Sequence, residues 1–143
     1  MDYLWLLFAF LSAVTASLVA IFGKIGLKEL DANTATAIRS IVMAVFLFLV
    51  VVFQGKLSHI PEIISNKKNF SFIILSGIAG ALSWLFYFMA LKFGKVSQVA
   101  PIDKLSVVIS VIIAVLFLGE KVSKLGGIGV ALIAAGALCV ALG

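Results

Sequence analysis

Three ionised side chains stand inside apolar runs of this 143-residue chain. Arg39 lies in Ala37-Ile38-Arg39-Ser40-Ile41, and the neighbours Asp103 and Lys104 lie in Pro101-Ile102-Asp103-Lys104-Leu105. A charge in such surroundings is expensive unless it meets a partner, a solute or water, which makes each a functional candidate. Pro101 removes a backbone donor and bends a helix, freeing carbonyl groups just before Asp103. Ser106 and Ser110 follow Asp103 at i+3 and i+7, extending a polar stripe along one helical face, and Thr36 and Ser40 flank Arg39 in the same way. Together these groups can hold a small solute, and Asp103 can carry a proton. The three charges sum to +1, which favours an anionic or carboxylate-bearing solute. The structural alternative pairs Arg39 with Asp103 and lets Lys104 reach the headgroups. Trp84, Tyr87 and Phe88 crowd a further apolar run, with Trp84 and Phe88 four apart on one face. They line a cavity in the functional reading, where they stack on a cation or a flat solute, and face lipid or other helices in the bland one.

The elements that position these residues follow from composition. Apolar residues make up 64% of the chain and charged residues 12%, against roughly 45–50% and about 25% in a soluble domain. So few polar groups do not cover a water-facing surface, and the surrounding solvent is lipid. The net charge of +5 is spread singly between apolar runs, as phospholipid headgroups require, and gives no nucleic-acid surface. Cys139 is the one cysteine and reads as a packing residue; His59 is the one histidine and reads as interfacial. The sequence carries no phosphate-binding glycine loop, no metal-ligand cluster and no nucleophile paired with a histidine, so neither a cofactor nor an enzymatic activity is expected.

Five stretches, 3–22, 32–53, 70–91, 97–118 and 125–142, are long enough to cross a bilayer as helices, and none alternates as a barrel strand would. Asp31 or Asn33, Ser97 and Ser123 are placed to cap the second, fourth and fifth, and Gly94 and Gly119 to end helices. The start, Met1-Asp2-Tyr3, lacks the basic residues of a secretory signal, so the first span is read as retained. Residues 54–69, with Ile60, Ile63 and Ile64 on one face, suit the headgroup level. Lysines flanking the spans number five on one side (Lys56, Lys67, Lys68, Lys121, Lys124) and four on the other (Lys24, Lys28, Lys92, Lys95). A bias that small fits insertion both ways up as well as one way. The odd span count fits half of an inverted-repeat bundle, completed by an upside-down copy in an antiparallel homodimer. Gly127, Ala131, Ala135 and Cys139, each four apart, form the small-residue row best suited to helix packing or to that partner.

The segments Ala90-Leu91-Lys92, Ala100-Pro101 and Leu118-Gly119-Glu120, with the glycine-rich last span, resemble the EamA-like domain of the drug/metabolite transporter superfamily, five-span single-domain branch. The resemblance covers essentially all of residues 1–143 as one domain. It implies an all-α bundle of five transmembrane helices, half of a 5+5 inverted repeat, in the inner or plasma membrane. It also implies secondary transport of a small solute by alternating access, and its motifs carry over to the Pro101, Asp103 and Lys104 segment and the Gly119 and Glu120 helix end; the residues themselves place the expected site among the second, third and fourth spans. Two other readings compete: a non-transporting accessory or scaffold subunit, and a subunit of a lipid-linked sugar flippase. Relatives in the superfamily that exchange drugs through a first-span glutamate differ here, because no acid precedes Glu29 in the first span.

Overall fold

The computed structural model describes residues 3–143, and Met1 and Asp2, used above to judge the chain start, lie outside them. Seven α-helices follow in order: α1 Leu4–Gly26, α2 Ala32–Phe53, α3 Ile60–Ser65, α4 Lys67–Phe93, α5 Val96–Asp103, α6 Leu105–Phe117 and α7 Lys124–Leu142. No strand occurs among the described residues. With α5 and α6 taken as one broken span, five helices are long and apolar enough to cross a membrane. The molecule is an all-α, multi-pass membrane protein. Its long helices expose leucine, isoleucine, valine and phenylalanine around most of their circumference, as hydrocarbon solvation permits and water does not.

The expected bounds hold closely for α2 and α7, while α1 runs to Gly26 and α4 begins at Lys67. The extra residues include Lys24, Lys67 and Lys68, which continue the helices beyond the apolar runs. Asp31 and not Asn33 caps α2, accepting from the Thr34 amide at 2.8 Å and the Thr34 hydroxyl at 2.9 Å. Ser123 caps α7 by accepting from the Gly126 amide at 3.0 Å. Ser97 is not a cap: α5 already starts at Val96 from an extended Lys95, with no side-chain cap. Gly119 does end a helix, its φ of +68° turning the chain so that the Glu120 amide donates to the Ala114 carbonyl at 3.2 Å. Between α2 and α4 a single 3-10 turn, Leu57–His59, leads into α3, and its residues are exposed.

The two hydrogen bonds from Thr34, backbone first, hold the Asp31 carboxyl below its ordinary range. A carboxylate depressed in the folded state stabilises it above the unfolded pKa, and that contribution is lost as pH falls through the lower folded value. The start of α2 is therefore expected to fray as pH drops below about 4, seen as faster hydrogen exchange at the Thr34 amide. Asp31→Asn should keep part of the cap and abolish that pH dependence.

The described chain divides into two compact units, one reaching from the N-terminal stretch to Lys24 and resuming over Phe93–Gly143, the other Ile25–Lys92. In the first, α7 packs along both α5 and α6, with Ala137 buried, and the Lys24 ammonium donates to the Gly94 carbonyl at 2.8 Å. In the second, Leu27, Ala32, Thr36, Phe88 and Leu91 are buried, and the Lys92 ammonium donates to the Leu30 carbonyl at 3.2 Å.

Candidate functional site

Within the unit Ile25–Lys92, Asp31 fixes the start of α2, and Ala32 and Thr36, four apart, put the same face inward. Arg39 lies one turn further along, part-buried. On α4, Trp84, Tyr87, Phe88 and Leu91 recur at the i, i+3, i+4, i+7 spacing of a single helical face, whereas Phe86 points away and is exposed. The three rings form one cluster. Trp84 meets Tyr87 edge to face at 5.7 Å, Trp84 and Phe88 are tilted at 5.6 Å, and Tyr87 meets Phe88 edge to face at 6.0 Å. The Arg39 guanidinium carbon stands 3.7 Å from the centre of the Trp84 ring and 5.0 Å from that of Phe88. Contact that short lays the guanidinium along the indole face.

Arginine at the centre of a membrane helix costs roughly 2.5–3.5 kcal/mol on insertion scales, and a desolvated cation–π contact returns about 2 kcal/mol. The aromatic shelf thus offsets most of the cost of the charge. It supplies no acceptor, however, and the Arg39 Nη1 is buried without a hydrogen-bond partner. Thr36 and Ser40 do not help, because their hydroxyls donate to the Ala32 and Thr36 carbonyls of their own helix, at 2.7 and 2.9 Å. Residue type alone matched the rings to a cation or flat solute; the cation they hold is the protein's own. Depth could have found the contact. Arg39 is seven residues from the start of α2 and Trp84 nine from the end of α4. In antiparallel helices these positions lie ~10 and ~13 Å from the same end.

In the other unit, the fourth span is interrupted at Lys104, three residues past Pro101. Pro101 has no amide to give the Ser97 carbonyl. The Lys104 amide then turns back to the Pro101 carbonyl at 3.1 Å, and the Val107 amide to the Lys104 carbonyl at 3.0 Å, so the i–4 ladder is locally replaced by i–3 bonds. The break comes just after Asp103, where the sequence placed it just before. Asp103 closes α5 and Ser106 lies in the first turn of α6, so the expected stripe runs across a discontinuity; Ser106 and Ser110 are both exposed. Lys104 Nζ sits 3.5 Å from Asp103 Oδ2. Beside the break, a shallow apolar groove of about 520 Å³ is lined by Ala100, Pro101 and Lys104 on one side and by Leu132, Gly136 and Ala137 among others of α7.

Arg39 and Asp103 fall in different units, and each has its own neighbours. Asp103 faces Lys104, which neutralises it, so the surplus positive charge among the three rests on Arg39. The small-residue row of α7, Gly127, Ala131, Ala135 and Cys139, is exposed along its length, while Ala137 on the opposite face is buried. His59 lies 3.6 Å from Glu62 on the exposed connection.

The profile of the EamA-like transporter family matches residues 3–142. A curated protein of Sinorhizobium sp, named an uncharacterized transporter in the cobO 3' region, is 43% identical over 142 residues, covering 99% of each chain. No solved structure gives a significant match.

Proposed function

The chain belongs to the EamA-like transporter family and is a membrane transporter; we propose that it moves a small anionic solute by secondary transport, with alternating access, as an antiparallel homodimer. One observation carries the reading: Arg39 is held inside a membrane span without an acceptor for its buried Nη1. A purely structural arginine gains by pairing with an anion of its own chain. One kept on an aromatic shelf with a donor to spare is suited to an anion that comes and goes. The relative of the same length named as a transporter supports the class.

In this reading all 143 residues act as one EamA-like domain, and a second, inverted copy supplies the other half of the bundle. The discontinuity after Pro101 gives α5 and α6 freedom to move separately, as broken helices do in alternating access. Asp103 couples the cycle to a proton, released to water when the Lys104 ammonium faces the carboxylate and taken up again when that contact opens, and Ser106 and Ser110 extend the polar surface of α6. The solute crosses the membrane without a cofactor.

Purified chain in proteoliposomes is expected to exchange radiolabelled organic anions down their gradient with no other protein present. Chain that moves no anion alone, and co-purifies with an unrelated membrane protein, would instead establish an accessory subunit. Reporters fused to the C-terminus should give signal on both faces of the membrane; signal on one face contradicts the inverted pair.

A further inference from the structure

The fit of the Arg39 pocket says more about the anion than its sign. We infer that the group bound there is a carboxylate, engaged edge-on in the plane of the guanidinium, and that the Trp84–Phe88 shelf selects it over tetrahedral oxyanions. This deepens the proposed function and rests on it for the claim that the bound anion is a transported solute. Trp84 covers one face of the guanidinium at 3.7 Å, and Phe88 stands beside it at 5.0 Å. Face-on approach from that side is closed, and an anion must reach the rim of the fork. A carboxylate is flat, with two oxygens matching two parallel N–H donors, so it fits against a covered face. Sulfate and phosphate project oxygens above and below that plane, and one of them meets the indole.

The Nη1 that lacks a partner is itself buried, so binding requires a small displacement. A cation over a ring is held by a broad electrostatic well and not by directed bonds. The guanidinium can therefore slide across the indole by about an ångström and present Nη1 while staying stacked. Phe88 is 3% exposed and Leu91 fully buried, so the floor of the shelf stays fixed as the arginine moves. Binding a carboxylate then changes the electrostatic field at Trp84, which makes this tryptophan the reporter.

The chain holds two tryptophans, Trp5 and Trp84, and Trp5 is 68% exposed near the start of α1. Trp5→Phe protein in phosphatidylcholine vesicles, titrated at constant ionic strength, should show a saturable change in Trp84 emission with acetate and with benzoate. Sulfate and phosphate should need at least tenfold higher concentration. Arg39→Lys, which keeps the charge needed for the same membrane environment but loses the fork, should weaken the acetate response at least tenfold. An absent carboxylate response, an equal response to sulfate, or an unchanged Arg39→Lys titration each overturns the inference. Replacing phosphatidylcholine with phosphatidylglycerol should raise the acetate midpoint only by the few-fold that a negative surface potential imposes on any anion. A loss of the response there would assign the site to an anionic lipid headgroup and overturn a free carboxylate. Binding without flux would reject transport and leave the carboxylate site standing, whereas flux of other anions without carboxylate binding would do the reverse.

Discussion

Arg39→Gln is expected to reduce anion flux in proteoliposomes by roughly 30-fold to several thousand-fold, because truncating one side of a buried charge pair costs about 2–5 kcal/mol and each 1.4 kcal/mol is tenfold. Assembly should survive. Removing the guanidinium forfeits a cation–π contact of about 2 kcal/mol, but it also removes a charge that costs about 2.5–3.5 kcal/mol to place at that depth. The two largely cancel, so folding stability should shift by only about 0.5–1.5 kcal/mol. Flux and thermal unfolding measured on the same preparation separate the roles. An arginine that only holds the fold together would lower the unfolding temperature with flux per folded molecule unchanged.

Asp103→Asn is expected to cut flux at least about tenfold and to flatten its dependence on proton gradient, since Asp103 is the titrating group of the proposed cycle. The substitution also strands Lys104, whose ammonium now lies 3.5 Å from the carboxylate, so a loss of protein would confuse the result. The double variant Asp103→Asn with Lys104→Gln removes both charges and with them the insertion cost. Assembly recovered and coupling still absent is the expected outcome. Coupled flux restored in the double variant would show the pair to be structural.

The spans were legible in the sequence because each is an apolar run of the length a bilayer demands, bounded by groups that stop or cap helices. The Asp31 and Ser123 caps followed from residue type and place. Ser97 failed as a cap because a side-chain acceptor is only one way to begin a helix: Val96 starts α5 from an extended Lys95 whose carbonyl accepts from Gln98 and Val99. Pro101 announced a break, but its position depended on where the backbone re-formed its hydrogen bonds, a collective property of residues 101–107. The candidate residues were found by the expense of burying their charge. What the sequence concealed was the neighbour each charge finds within its own unit. Arg39 lies on Trp84, and Asp103 faces Lys104. Aromatic faces compete with carboxylates for arginine, and which one wins depends on how α4 is rotated toward α2.

The functional unit proposed above is two copies of the chain, one inverted. The helix α7, Lys124–Leu142, is centred on residue 133; Gly127 and Cys139 lie six residues to either side, and Ala131 and Ala135 two. The exposed small row is thus symmetric about the helix middle, so an inverted copy brings Gly127 of one chain against Cys139 of the other. A cysteine is sterically free at Gly127, where an added Cβ meets nothing within 4 Å. Oxidative cross-linking in membranes should give covalent dimers from Gly127→Cys protein, joined through the introduced thiol to the native Cys139 of the other copy, and almost none from the unsubstituted chain. Efficient dimer formation through Cys139 alone would place the two copies parallel and contradict the inverted pair.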